Sequence, residues 1–180
     1  MIQIAPFSSD DVLVATLTES LALRSGIAPV NANLIGKAAA LHDVGKYKVP
    51  IQILCKTGSL SADEFNIIKT HTVWGGHMLK NLHGNFGIMA RNICTWHHER
   101  YDKHGYWGKS IDELPPYIPM VSVCDVYVAL TTNNRPYKDA WTHEQAMEHI
   151  ESESGRQFCP KITGIFLALM ADNPVLQQVA

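Results

Sequence analysis

Apolar residues recur every three to four positions through most of this chain, which is the spacing of amphipathic helices. The first such segment predicts a helix over about 9–26, with Ser9 or Asp10 as its N-cap and Gly26 as its stop. A second helix is predicted over about 31–41. No segment shows the apolar–polar alternation of a half-buried strand, so the pattern predicts an all-α fold.

Further helices are predicted downstream from capping signals and from the same periodicity. Ser61 to Glu64 has the pattern of a capping box and opens a third helix, with His71 at its end or just past it. Shorter helices are predicted over about 73–82 and 87–98, and later ones over about 118–130, from the Thr142 capping box and from Cys159-Pro160.

Composition narrows the class of protein. The 180 residues fit one domain over 1–180, and 15 Lys+Arg against 17 Asp+Glu give no field that would attract DNA, RNA or an anionic membrane. The four cysteines are scattered without metal-ligand spacing and are expected to be reduced thiols. We find no signal peptide and no apolar run of membrane-spanning length, so a cytoplasmic location is expected.

Metal-ligating residue types interrupt these apolar helices at a few places. They are the pair His42-Asp43, the lone His71, the pair His97-His98, and Asp125 within an apolar run. Imidazoles with a shared carboxylate suit first-row metals, and two such ions form a common catalyst of displacement at phosphorus. We therefore predict a helical bundle with a dinuclear metal site, and Asp43 as the residue that bridges the two ions.

Cationic residues near these positions suggest phosphate as the ligand. Lys46 lies one turn beyond His42, where an ammonium can reach a phosphate oxygen, although the helix dipole alone also favours a lysine there. Arg135 and Lys138 form a compact basic turn suited to a phosphodiester. The Gly- and Pro-rich segment 99–119 is long for a simple connection and is interpreted as a lid or substrate rim.

Several motifs together resemble the HD-GYP family, a branch of the HD metal-dependent phosphohydrolases whose better-known members hydrolyse cyclic di-GMP. His42-Asp43-Val44-Gly45-Lys46 resembles HDxGK, and His71 to Gly75 resembles HPxxG. Residues 97–106 resemble HHExxDGxGY, 125–137 resemble DVFDALTSxRPY, and 155–158 resemble GTQF. The GYP loop is degenerate, because Lys103 replaces a glycine and Trp107 the proline.

The resemblance implies an all-helical fold, a site for iron or manganese, with nickel or zinc also suitable, and a role for each matching residue. It makes Asp43 and Lys46 catalytic, and it makes Glu99 hold the tautomer of a ligand imidazole. It also makes Lys46, Arg135 and Lys138 contact substrate phosphate. The implied metal ligands are His42, Asp43, His71, His97, His98 and Asp125, with Asp10 at the position of a further ligand. Pro6 falls where some members have a third-metal glutamate, so two metals are predicted.

The function expected from this resemblance is hydrolysis of cyclic di-GMP or a related cyclic dinucleotide by metal-activated hydroxide. A second hypothesis is a phosphohydrolase that acts on another nucleotide or phosphate ester. A third is a non-catalytic, metal-loaded sensor or adaptor. A signalling protein is a further possible partner, through the loop 99–119.

Overall fold

The computed structural model describes residues 7–132 and 140–177, and within them the chain is helical with no β-sheet. The all-α prediction is confirmed. The α-helices of the described chain are α1 (Ser9–Arg24), α2 (Pro29–Ala39), α3 (Ile51–Leu54), α4 (Ala62–Met78), α5 (Gly84–Trp96), α6 (Ile118–Thr131), α7 (His143–Ser152), α8 (Pro160–Asp172) and α9 (Pro174–Gln177). Two short 3-10 helices, Val44–Lys48 and Ile111–Glu113, lie between them.

Helix starts follow the capping chemistry, with one correction. Ser8, rather than Ser9 or Asp10, caps α1, because Asp11 at the third helical position completes a reciprocal capping box with it. Ser61 caps α4 and Thr142 caps α7 through similar boxes, as predicted. Gly26, with a φ of +84°, follows α1 in the left-handed conformation that glycine adopts without strain.

The prediction that a helix ends near His71 is wrong, since α4 runs without a break from Ala62 to Met78. His71 lies in its second half and is fully buried. Gly75 and Gly76 do not interrupt the helix; Cβ atoms at these positions would lie about 3 Å from Cys94 and Thr95 of α5. The two glycines therefore allow α4 and α5 to approach closely.

Helix α6 is the centre of the core. Residues from Ile118 to Cys124 are all buried, and the helix is apolar on all sides, as expected of a helix with neighbours all round. It packs against α1, α5, α7 and α8, while α2 packs against α1 and α5. Asp125 is thus carried by an element that the surrounding helices hold in place.

The two doublets of predicted ligands lie at helix ends, as expected. His42 and Asp43 occupy the turn between α2 and the Val44–Lys48 3-10 helix, and His97 and His98 follow α5. Within the described chain, no helix combines the length and apolar character needed to cross a membrane.

Candidate metal centre

Four elements bring the predicted ligands together. The turn after α2 supplies His42 and Asp43, α4 supplies His71, the end of α5 supplies His97 and His98, and α6 supplies Asp125. Their ligand atoms converge although the residues span more than 80 positions of sequence. The sequence-predicted set is therefore one spatial cluster.

Backbone carbonyls fix the orientation of three of the imidazoles. The Nδ1 atoms of His42, His71 and His97 lie 2.8–2.9 Å from the carbonyl oxygens of Ala39, Ile68 and Ile93 respectively. Since a carbonyl oxygen only accepts, each Nδ1 carries the proton, and in the neutral ring each Nε2 presents a lone pair. All three lone pairs are thereby made available to a metal ion.

The first group of ligand atoms consists of acceptors that face one another. The Nε2 atoms of His71 and His97 are 3.4 Å apart, and Oδ1 of Asp43 lies 3.3 Å from the first and 3.8 Å from the second. His98 contributes a further atom, so that all four lie within 4.8 Å of one another. Ligands bound about 2.1 Å from one ion lie about 3.0–3.4 Å apart, so the two shorter separations fit one ion and the 3.8 Å separation would have to shorten on binding.

A second group lies on the other side of the Asp43 carboxylate. Oδ2 of Asp43 is 3.2 Å from Nε2 of His42, and the same Nε2 is 3.4 Å from Oδ1 of Asp125. The two oxygens of Asp43 thus face different sets of ligand atoms. This is the geometry expected of a bridging carboxylate.

One atom of the cluster indicates by its surroundings that these side chains suit a cation. Oδ1 of Asp43 is buried and has no hydrogen-bond partner among the residues that the structure describes. A buried acceptor without a partner is costly, and here its neighbours are imidazole lone pairs that would repel it. A metal ion between them would remove both penalties, so the side chains of this cluster fit a metal ion.

Burial and charge tune the pKa values of the cluster. Burial lowers the pKa of His98 to about 4, and burial together with neighbouring imidazoles holds the pKa of His97 well below its ordinary value. Burial also disfavours the charged form of His42, but Asp43 and Asp125 outweigh it and raise its pKa. His97 and His98 are therefore neutral at pH 7, whereas a metal would compete with a proton for His42.

The loop that follows His98 is fixed rather than open. Glu99 is buried, and its two carboxylate oxygens accept hydrogen bonds from the backbone N–H groups of Trp107 and Lys109, at 2.8 and 2.7 Å. The contacts described for Glu99 hold the loop, and the support of an imidazole by Glu99 stays a prediction. Tyr106 stacks beside His98 with ring centroids 4.4 Å apart.

The interpretation of 99–119 as a lid over the site does not match these contacts. Arg100 pairs with Asp102 and Gln157, and the indole of Trp107 donates to Thr72 of α4. A cavity of about 780 Å³ lies beside Asp43 and Lys46, and none of its lining residues in the described chain belongs to this segment. The segment contacts α4, Gln157 and His98.

Asp10, the predicted additional ligand, lies on the cavity wall outside the four-residue cluster. Its Oδ2 accepts a hydrogen bond from the Thr132 hydroxyl at 3.3 Å. Asp11, which the sequence did not single out, has Oδ1 3.9 Å from Nδ1 of His42, while its Oδ2 caps α1. The Ser-x-x-Asp spacing of Ser8 and Asp11 is a capping-box pattern, and it was the feature of the sequence that could have drawn attention to Asp11.

Lys46 stands at the mouth of the cluster. Its ammonium forms an ion pair with Oδ2 of Asp43, and its side chain is about two-fifths exposed. It lines a cavity of about 780 Å³ that also reaches Asp43, His98 and Asp125. A phosphate group in this cavity can therefore contact both the ammonium and the ligand cluster. The other predicted phosphate contacts, Arg135 and Lys138, lie outside the described residues.

Comparison with known proteins agrees with this geometry. The model of a family described as HD domain matches residues 3–162. A 3'3'-cGAMP-specific phosphodiesterase 2 of Vibrio cholerae is 37% identical over 155 residues, which are 86% of this chain and 30% of that protein. A cyclic di-GMP phosphodiesterase response regulator, RpfG of Xanthomonas campestris, is 36% identical over 155 residues, or 86% and 40% of the two chains.

Among solved structures, Bd1817 of Bdellovibrio bacteriovorus, described as an HDG"Y"P protein, shares the fold. The TM-score is 0.72 at 21% identity, and the match covers 90% of this chain and 51% of that one. The chain spans less than half the length of the two phosphodiesterases that it matches. The similarity therefore shows the family of this chain, and the activities of the longer proteins are not assigned to it by the similarity alone.

Proposed function

The chain belongs to the HD domain family, as its motifs predicted, and from that premise we propose that it hydrolyses cyclic di-GMP or a related cyclic dinucleotide. The observation that carries the proposal is the position of Asp43, whose two oxygens face separate groups of ligand atoms beside a cavity that Lys46 lines. The activities named for the two phosphodiesterases support the choice of substrate class.

We propose that the site holds two divalent ions, iron or manganese, with nickel or zinc chemically acceptable. The proposed ligands are those of the two groups, His71, His97 and His98 on one side and His42 and Asp125 on the other, with Asp43 shared. Such ions supply Lewis acidity that activates water and stabilises charge on the phosphoryl oxygens. Asp10 remains a proposed additional ligand through its place on the cavity wall.

In the proposed reaction the oxygen of one water molecule attacks phosphorus, and the ester bond on the opposite side breaks. The leaving oxygen takes a proton, so that one water is consumed and a cyclic dinucleotide becomes a linear one. The Lys46 ammonium is placed to contact a non-bridging phosphate oxygen, where positive charge stabilises the transition state. A second hydrolysis yields two mononucleotides.

Two further parts of the proposal rest on the motif resemblance. Arg135 and Lys138 are proposed to contact phosphate, and their replacement by Ala should raise KM. A signalling protein is proposed to bind at 99–119, where Tyr101 and Trp107 are each about two-fifths exposed.

The test is turnover of cyclic di-GMP and 3'3'-cGAMP by protein purified under anaerobic, reducing conditions with iron(II) or manganese(II). Products are followed by chromatography. We expect metal-dependent turnover that falls more than about a hundredfold in Asp43→Ala, because loss of a residue that only hydrogen-bonds to a metal ligand already costs about 10- to 100-fold. Asp172→Ala, which removes a carboxylate paired with Arg24 away from the cluster, is the control.

The results of this test distinguish the cyclic dinucleotide phosphodiesterase from the two other hypotheses, another phosphohydrolase and a non-catalytic sensor or adaptor. Undiminished turnover by Asp43→Ala, or turnover in excess chelator, would contradict the proposal. Hydrolysis of linear but not cyclic phosphodiesters would favour the second hypothesis, and metal binding without any turnover would favour a sensor or adaptor.

A further inference from the structure

The cavity beside the metal centre has two chemically different walls. Asp43, Lys46, His98 and Asp125 form a polar wall that includes a cation, whereas Tyr47, Ile51 and Leu54 belong to an apolar one. A cavity of about 780 Å³ with this division suits a ligand that carries both anionic and planar apolar groups.

Tyr47 occupies an unusual place on the apolar wall. Its side chain is 62% exposed, although it lies in a segment whose first two residues, Val44 and Gly45, are buried against α4. The 3-10 helix is thus anchored at its start, while its next residues, Lys46 and Tyr47, reach the cavity. Since the ring is not buried in the protein core, packing of the core does not explain why an aromatic residue lies at position 47.

Lys46 and Tyr47 are adjacent, and their side chains suit the two adjacent parts of a nucleotide, its phosphate and its base. An ammonium binds phosphate, and the face of an aromatic ring binds a base by stacking, whichever base it is. Ile51, at the start of α3 and 60% exposed, extends the apolar surface beside the ring. A phosphate ester without a base would leave this surface uncovered.

We propose that Tyr47 is a specificity-determining residue whose ring stacks on a nucleobase of the substrate while the adjoining phosphate lies at Lys46. This inference rests on the proposed function, and it names the part of the substrate that the apolar wall recognises. Tyr47 takes no part in the reaction at phosphorus. It contributes binding, and base stacking of this kind is associated with changes of about 5- to 150-fold in affinity.

The test compares ligands that differ only by the base. Guanosine 5'-monophosphate and ribose 5-phosphate are titrated by calorimetry into manganese-loaded protein, for the wild type and for Tyr47→Leu and Tyr47→Phe. We expect Tyr47→Leu to weaken binding of the nucleotide about tenfold and to leave ribose 5-phosphate within twofold. Tyr47→Phe keeps the ring and should bind both ligands like the wild type.

A matched control replaces an exposed aromatic residue elsewhere. Trp74 is 44% exposed on α4 and is not among the described residues that line the cavity, so Trp74→Leu should change neither affinity. In turnover of a cyclic dinucleotide, Tyr47→Leu should raise KM about tenfold with kcat nearly unchanged, since the ring does not contact the reacting atoms.

Several results would overturn the inference. These are equal weakening of both ligands, no weakening of the nucleotide, or no measurable binding of the nucleotide to the wild type. A lower melting temperature in Tyr47→Leu together with equal losses would show that the ring only packs against the protein. Absence of turnover by the wild type would instead refute the proposed function, and the binding comparison would still decide the role of Tyr47.

Discussion

At the scale of the residue, most of the chemistry of the site depends on Asp43. Its two oxygens face two groups of ligand atoms, and one of them is buried without a hydrogen-bond partner in the described chain. The neighbouring His42, His71 and Lys46 outweigh the effect of burial and hold the pKa of its carboxyl well below its usual range. Asp43 is therefore ionised and ready to bind a cation at any pH near neutrality.

Lys103 has a backbone conformation that is unusual for a residue with a side chain. It has a φ of +65°, in the left-handed region, at the position where the resembled motif carries glycine. A side chain with a Cβ pays about 1–2 kcal/mol in this conformation, partly offset by the greater freedom of glycine in the unfolded chain.

We therefore predict that Lys103→Gly raises the free energy of unfolding by about 0.5–1 kcal/mol. Urea denaturation measures the change. Lys103→Ala, which keeps the Cβ, is the control and should show no such gain; equal gains in both variants would mean that the lysine side chain, not its backbone, is unfavourable.

At the scale of the element, the site depends on the contact between the Val44–Lys48 3-10 helix and α4. A Cβ added at Gly45 would lie 1.8 Å from the carbonyl oxygen of His71 and 2.5 Å from the backbone nitrogen of Gly75. Both obstacles are backbone atoms within a helix, so they cannot rotate away. Gly45 is needed for this close approach.

We predict that Gly45→Ala lowers the free energy of unfolding by about 3 kcal/mol, the upper part of the range for overpacking. Because the displaced atoms belong to the His71 backbone, metal affinity should also fall at least about tenfold. Denaturation and metal titration measure the two effects. Gly58→Ala, where an added Cβ meets no atom within 4 Å, should change neither.

A second connection joins the loop after α5 to the turn before α8. Arg100 pairs with Asp102 and contacts Gln157, and the backbone N–H of Asp102 donates to the carbonyl oxygen of Arg156. The guanidinium of Arg100 lowers the pKa of Asp102 to about 2. The folded state therefore binds this proton less readily than the unfolded state, in which aspartate has a pKa of about 3.9.

This difference predicts how stability depends on pH. The stabilisation by Asp102 is fully present above about pH 4 and is lost as the pH falls towards about 2, because protonation ends the ion pair. Its size is no more than about 1 kcal/mol, since the pair is partly exposed. Urea denaturation of the wild type and Asp102→Asn should show a gap that narrows below pH 4; a gap that widens there would refute the assignment.

At the scale of the whole molecule, the metal centre connects elements that are distant in sequence. The turn after α2, α4, the end of α5 and α6 each contribute proposed ligands, so a bound metal would link them in the folded state alone. A ligand that binds only the folded state stabilises it by about 2.7 kcal/mol at a concentration of 100 Kd.

We predict that saturating manganese(II) raises the melting temperature of metal-free protein by about 5–10 °C, the shift expected for a chain of this size. Differential scanning calorimetry with and without metal measures it. Asp43→Ala should lose most of the shift, whereas an equal shift in that variant would place the stabilising metal elsewhere.

The sequence by itself determined the helical class, most of the helix caps and which metal-ligating types of side chain come together. Capping boxes at Ser61 and Thr142 and the 3.6-residue apolar period are local, so they can be found without a fold. The ligand residues were recognisable because imidazoles and carboxylates rarely interrupt apolar helices without a partner.

Tertiary structure alone decided how these residues act together. The continuity of α4 through His71, the two faces of Asp43 and the role of Glu99 in holding the loop depend on packing between distant segments. The exposure of Tyr47 beside Lys46 likewise follows from the burial of the preceding residues against α4. Local sequence specifies which atoms can bind, whereas distances between segments of the folded chain specify what they bind together.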